Sequence, residues 1–487
     1  MIDIATPQSL VAEGLEAIRS EVVEAEIFAA GNEPLIARLN HTSDIPCNGV
    51  QEPKSSAAYG VGVLATFRDG DELRVGFGSE PGDLSIGGLR RALAKARRNA
   101  VHDPDFTALP SPTDEKPKLE NYHDPKVMEL ADETLVDLGW SALEGALVTF
   151  RDAGWLSSLI VNGDVTVQTE KMAIKSTAGI DERDETTILM ATITTMIEKE
   201  NVKGTGWSTG TNLSSFSAYE AGREAARSAL NTIGGRRIPS GVYPVVFGPQ
   251  AMTELCDNLL IPSLSLDTID AASSPYIGKL GLHVMSPLMH VYDDGARPGA
   301  MASKRVTCKG LPTGRTDLVE RGVLVGFLAD HYTAKKLETN VRSFRSRNGF
   351  RFGGEGRSFR QRPSIFATNV VIQGEEELSH EELLARVGTG LYIGRIWYTY
   401  PINGLGPGDF TCTVVGDSYL IEHGKLGQPL KPNTIRINDN FIQLFQNVIG
   451  ITRDKKPTLV WSAEETVVAP ELAVRQLHVE NIAEYMG

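Results

Sequence analysis

The run Gly234-Gly235-Arg236-Arg237-Ile238-Pro239-Ser240-Gly241 divides this chain, because the texture of the sequence differs on its two sides. Immediately upstream, residues from about Ser214 to Ile233 read as a helix that stops at the glycine pair. Further back lie strand patterns over 164–176 and 186–199 and a long helical stretch over 125–152. Tyr59–Phe67 and Glu72–Gly78 flank Arg68-Asp69-Gly70-Asp71, which predicts a hairpin. A helix over 85–100 turns Ile86, Leu89, Leu93 and Ala96 inward and leaves Arg90, Arg91, Lys95, Arg97 and Arg98 on a solvated face. The first helix has Thr6 as its expected cap, Pro7 in its first turn, and Val11, Leu15, Ile18 and Val22 along one side. Downstream of the dividing run, short strands dominate. They are expected at Val242–Gly248, Phe366–Ile372, Leu391–Tyr400, Phe410–Val415 and Tyr419–Glu422, with a hairpin across Arg315–Leu328. Ser379 and Glu382 form a capping box that opens a helix, and another helix is expected near 439–449. The fold class is therefore α+β in two domains: a mixed α/β domain over 1–237 and a β-rich domain over 238–487.

A chain of 487 residues is too long for one ordinary core. Hydrophobic residues make up 41% and charged residues 23%, the balance of a folded globular protein. No apolar run reaches eighteen residues, so no membrane span is expected. The start, MIDIATPQSL, has neither the basic nor the apolar part of a signal peptide, and a cytoplasmic location is expected. Cys47, Cys256, Cys308 and Cys412 form no CxxC pair, which argues against a disulfide framework or a cysteine-built zinc site. With 48 basic and 62 acidic residues the net charge is −14, which disfavours nucleic acid as a partner.

The residues exclude more chemistry than they offer. None of the nine histidines has another three to five positions away. His283 and His290 would face opposite sides of an extended segment, and Asp293-Asp294-Gly295 after them reads as a turn. Gly353-Gly354-Glu355-Gly356 and Gly404-Leu405-Gly406-Pro407-Gly408 read as loops, not as phosphate cradles. GTGWSTG (204–210) reads as a connecting loop, although its GWSTG formally matches a serine elbow around Ser208. Cys412 reads as a small core residue of a strand. The exception is the segment 342–362, where Arg342, Arg345, Arg347, Arg351, Arg357, Arg360 and Arg362 face one acid, Glu355. Four phenylalanines and four glycines are interleaved with them. Either these arginines pair with acids of the protein itself, or Arg345, Arg347, Arg351 and Arg357 contact a substrate or partner chain through carboxylate or phosphate.

Six phrases follow in order through the second half: LPTGRTDLVERGVLVGFLADHYTAKKL (311–337), NGF with its glycine–arginine loop (348–357), RPSIFATNVVI (362–372), HEELLARVGTGLYI (380–393), GDFTCTVVGDSYLIEHGKLGQPL (408–430) and VEN (479–481). Together they resemble the TldD/PmbA family, most closely its PmbA (TldE) half. The resemblance implies a two-domain chain that works as a dimer, often with a TldD-like partner. That partner looks like a zinc peptidase with HExxxH on the helix after the first strand of the C-terminal domain and a cysteine ligand near the C-terminus. Here the corresponding helix, PQAMTELCDNLLIPSL (249–264), contains no histidine, and LVWSAEETVV (459–468) contains no cysteine. The resemblance thus implies a non-catalytic subunit, without a metal site or cofactor of its own, in a peptidase complex that trims unfolded or leader peptides. Zinc is expected in the TldD-like partner. Whether this chain has activity of its own stays open. The alternatives are a diverged peptidase working as a homodimer through Cys412, Ser208 or Asp257, and a non-enzymatic binder of anionic ligands through the 342–362 segment.

Overall fold

The computed structural model describes residues 3–45, 48–116, 119–339, 343–353, 356–460 and 465–482. Cys47, Arg342, Gly354 and Glu355, and residues 461–464 of the LVWSAEETVV segment, lie outside them. The chain forms two lobes. The first is built from α1 (Ala5–Ile18), β1 (Ala25–Thr42), β2 (Ala58–Asp69), β3 (Glu72–Pro81), α2 (Ile86–Arg98), α3 (Asp132–Asp152), β4 (Leu159–Ser176), β5 (Asp181–Ile197), β6 (Val202–Gly210) and α4 (Ala218–Asn231). Its long strands make one antiparallel sheet in the order β3-β2-β1-β4-β5-β6, with three two-residue strands at its margins.

β1 shows why this sheet is buried on both faces. Strand side chains alternate, so Ile27 and Ala29 pack under α1 and α2 while Phe28 and Ala30 face the opposite way. On that second face Phe28, Met172 and Ile174 meet Val306, Cys308, Phe350, Phe352 and Phe359 from the second lobe. The two lobes therefore share a core. α3 and α4 cover the other end of the sheet over Val161, Val165, Leu189 and Ile193.

The second lobe comprises β7 (Gly241–Phe247), α5 (Pro249–Leu255), β8 (Met289–Asp294), β9 (Arg315–Glu320), β10 (Asn369–Gly374), α6 (His380–Val387), β11 (Gly390–Pro401), β12 (Asp409–Glu422), β13 (Ile435–Asn440), α7 (Phe441–Gln446), β14 (Val448–Thr458) and β15 (Thr466–Asn481). Its pairings β7-β11-β12-β13-β15 return to β7 and close a five-stranded ring. β15 also carries β14 along its length and extends the sheet through β10, β8 and β9. The fold is α+β in two domains, with the second β-rich. Among the described residues no helix is long and apolar enough to cross a membrane.

Four local expectations need correction. Thr6 does not cap α1; the helix starts two residues earlier, at Ala5, where the Asp3 carboxylate accepts from the Ala5 N–H (3.1 Å). Asp293-Asp294 is not a turn but the end of β8. Asp293 is buried there, accepting from Asn348 Nδ2 (2.7 Å) and from the Thr368 N–H (2.7 Å). Phe410–Glu422 is one strand, not two. GTGWSTG is not a connecting loop but edge strand β6, and its Ser208 Oγ accepts from the Ser217 N–H (3.0 Å) at the start of α4. Glycines weaken isolated strands. Here they are tolerated because Gly204 and Gly206 let the sheet approach the α4 backbone where any side chain would collide.

Candidate functional site

The arginine segment is mostly a clamp between the lobes. The Arg351 side chain, fully buried, donates to Glu26 (2.5 Å), which also holds Lys309 (3.0 Å). Arg357, equally buried, reaches Glu170 (3.1 Å) and Asp184 (2.9 Å), and Lys304 lies 3.3 Å from Glu170. The acids come from β1, β4 and β5, and the cations from the second lobe. Burial works to raise the Glu170 carboxyl, yet Lys304 and Arg357 outweigh it and hold it at about 2. Of the four arginines proposed as contact residues, Arg351 and Arg357 are thus committed to internal acids, because their neighbours Phe350, Phe352 and Phe359 pack under the first sheet. Arg347 is nearly buried and donates to the Arg315 carbonyl and to Glu115. Arg345 is exposed, 3.7 Å from Glu115, and is the member of the set best placed to meet a second molecule.

A different place gathers chemistry. α5 continues into a widened π-helical turn over Cys256–Leu260, in which the Ile261 N–H reaches five residues back to Cys256. Pro262 follows at once and has no N–H to extend an ordinary α ladder. Gln250, Glu254 and Asn258 share one face of this helix. Gln250 Nε2 donates to Glu254 Oε1 (3.2 Å), and Asn258 Nδ2 donates to the Glu254 carbonyl (2.9 Å). They line a cavity of about 290 Å³ between the lobes. Its opposite walls are Thr205 and Trp207 of β6, Arg395 and Trp397 of β11, and Leu459 and Val460 after β14. Burial pushes Glu254 up to about 7 and raises Asp257, with Glu254 adding to the latter and a hydrogen bond to Glu465 opposing it. Two carboxyls in hydrogen-bond contact must share a proton. Cys412, in the core of β12, is likewise raised by burial and by Glu254, so it supplies no ready thiolate. Among the described residues no three His, Cys, Asp or Glu side chains are placed to hold a metal ion.

Glu254 should register in the stability of the chain. Its ordinary value is 4.5, so between there and about 7 the folded carboxyl keeps a proton that the unfolded one has lost. Its contribution is therefore complete at acid pH and is lost as the pH rises through 7. Glu254→Gln is expected to flatten the fall of the melting temperature between pH 5 and pH 8. At pH 8 it should be more stable than the parent by about 1–3 kcal/mol. Parallel slopes for the two proteins across that range would contradict the assignment.

A family model described as the PmbA/TldA metallopeptidase C-terminal domain matches residues 240–481. Residues 240–481, the second lobe, belong to the PmbA/TldD family. It is 26% identical to an uncharacterized protein of Methanocaldococcus jannaschii, over 84% of this chain and 88% of that one. It is 28% identical to a metalloprotease TldD homolog of Haemophilus influenzae, over 44% of this chain and 42% of that protein. The fold is that of TldE from Thermococcus kodakarensis, with a TM-score of 0.78 at 18% identity, covering 98% of this chain and 100% of that one.

α5 and its π turn occupy the place where the family resemblance puts the zinc-binding helix of a TldD-like chain, and the residues described there do not fit zinc. The side chains facing the cavity there are an amide pair and a carboxyl that burial keeps at the edge of protonation. Asp257 is engaged with Glu465, and Cys256 is fully buried with its thiol raised. Arg395 brings a fixed positive charge to the same cavity, where a cation would be repelled. Reading the sequence for metal ligands overlooked Arg395, Trp207 and Asn258. The available signal was Arg395 itself, a lone charge inside the apolar strand run GLYIGRIWYTY (390–400).

Proposed function

We propose that this chain is a PmbA/TldE-like subunit, without zinc of its own, that pairs with a TldD-like zinc peptidase chain and helps it bind and cleave unfolded or leader peptides. The observation that carries this reading is the helix at residues 249–263: it keeps its place beside an open inter-lobe cavity while its side chains are those of a hydrogen-bonding wall. Two strand edges flank that cavity. β6 is the margin of the first sheet. Beyond Ile393, β11 has lost β7 as a neighbour, and among the described residues only β12 pairs with it. An extended peptide gains affinity from such edges through backbone hydrogen bonds with little sequence choice, which suits unfolded substrates. The name of the Haemophilus influenzae relative and the TldE fold support the pairing. The reading takes the two domains as 1–237 and 238–487 and places the protein in the cytoplasm. Cys256, Cys308 and Cys412 are free and buried, as befits a reducing compartment.

Affinity purification of the chain from its native cell, with zinc measured on the same sample, tests the proposal. The expected result is a nearly equimolar partner bearing HExxxH together with the zinc, and peptide cleavage that needs both chains. A zinc-loaded preparation of this chain alone, cleaving peptide in a chelator-sensitive way, would overturn it in favour of a homodimeric peptidase.

A further inference from the structure

The inter-lobe cavity holds hydrogen-bonding groups that the described residues leave unpaired. Among the described residues Thr205 Oγ1, Trp207 Nε1, Gln250 Oε1 and Thr399 Oγ1 are buried atoms without a partner, and all four residues lie on its wall. Thr205 and Thr399 are only 7% and 6% exposed. Each such group carries a desolvation cost unless something in the cavity meets it, water when empty and ligand when filled. Arg395 stands on the same wall. It feels the charges of Glu254 and Asp417, yet among the described residues it makes no hydrogen bond or ion pair with them. Glu254 is engaged by Gln250 and Asn258, and Asp417 by Tyr419 (2.9 Å). Guanidinium and indole N–H can only donate, and the two hydroxyls can donate, so the wall is built for an acceptor-rich anionic group. Gln250 Oε1 is the exception and asks for an N–H.

The rim adds a second observation. Trp397 and Tyr398 are 51% and 67% exposed and stack on one another with ring centroids 5.4 Å apart. Tyr398 sits at a bulge with a φ of +54°, a conformation that a bulky residue adopts only under constraint. The bulge turns two large rings outward at the mouth of the cavity, where an apolar side chain could rest against them.

We propose that this cavity is a carboxylate receptor for an extended peptide, with Arg395 on the carboxylate, Trp207, Thr205 and Thr399 donating to its oxygens or to the last carbonyl, and Gln250 accepting the preceding amide N–H. The proposal deepens the subunit reading and rests on it for the choice of a peptide as ligand. The probe is a fluorescently labelled, unstructured ten-residue peptide of Gly, Ser and Ala with one Leu. It is made as the C-terminal acid, as the C-terminal amide, and as the amide with an internal Glu. Binding is measured by anisotropy to the full chain, alone and reconstituted with a zinc-bearing TldD-like chain. The acid is expected to bind at least tenfold tighter than the amide, about 1.4 kcal/mol. Arg395→Gln should remove that difference while leaving the melting temperature near the parent's, and Thr399→Val should reduce it about threefold. Recovery of affinity by the Glu-bearing amide would assign the site to side-chain carboxylates; failure to recover would assign it to chain ends. Equal binding of acid and amide to the parent, or no binding of either in both preparations, overturns the proposal even if Arg395→Gln does not fold. Carboxylate-dependent binding without assembly would sink the subunit reading and leave the receptor. Assembly with carboxylate-blind binding would do the reverse.

Discussion

Arg357→Met is expected to lower the stability of the chain by about 3–5 kcal/mol, the usual cost of stranding buried charge by removing one partner. Two carboxylates, Glu170 and Asp184, face the Arg357 guanidinium in an environment closed to water; among the described cations Lys304 (3.3 Å) would remain beside Glu170 and Arg305 (4.0 Å) beside Asp184. The Arg357 carbonyl also accepts from Asn32 Nδ2 (2.9 Å), so the same residue ties its backbone to β1. Denaturant titration followed by tryptophan fluorescence measures the loss. Arg345→Ala, at an exposed and weakly paired position, should change stability by less than about 0.5 kcal/mol. Adding Asp184→Asn to Arg357→Met should restore part of the deficit, because one stranded charge disappears with it. If Arg357→Met proves as mild as Arg345→Ala, the buried acid–base ladder does not join the lobes as described.

The second large effect is expected at Gly206, where substitution by alanine should destabilise the chain by about 3 kcal/mol, the upper end for forcing atoms into a packed core. A Cβ on Gly206 would fall on the Ala221 carbonyl oxygen and close to the Ala225 nitrogen. These are backbone atoms of α4 and cannot rotate aside. The helix itself is held from behind, since Gly222 packs as closely on the Ala142 carbonyl of α3. Thr205 and Trp207 flank Gly206 in β6, so any shift that relieves the collision also moves one wall of the cavity. Peptide affinity should therefore fall along with stability. Ser208→Ala is the comparison: it removes one hydrogen bond to the start of α4 and should cost about 1 kcal/mol without touching any cleavage by the complex. Loss of cleavage in Ser208→Ala, with folding intact, would revive the serine-elbow reading.

Most of the secondary structure was legible in the residues because it depends on local periodicity and local stops. The hairpin around Arg68-Asp69-Gly70-Asp71, the capping box at Ser379 and Glu382, and the helix stop before Gly234-Gly235 all appear where spacing and turn chemistry place them. The misread GTGWSTG run marks the limit of such reasoning. Glycine in a strand is unfavourable locally, and only the approach of α4 makes it favourable. Arg345, Arg347, Arg351 and Arg357 show the same limit in electrostatics: one composition serves an exposed arm at Arg345 and a sealed ion pair at Arg357.

The two-domain α+β organisation, the family resemblance and the absence of imidazole from the helix at 249–264 could all be read along the chain, since they follow from patterns and residue types. What the remaining charges do is set by tertiary contacts. Arg351 and Arg357 meet Glu26, Glu170 and Asp184 across more than 170 positions, and Arg395 joins Trp207 in lining one cavity across nearly 190. Whether a guanidinium is buried against a carboxylate or left facing an open cavity depends on which distant strands are folded against it, and neighbours in sequence carry no record of that.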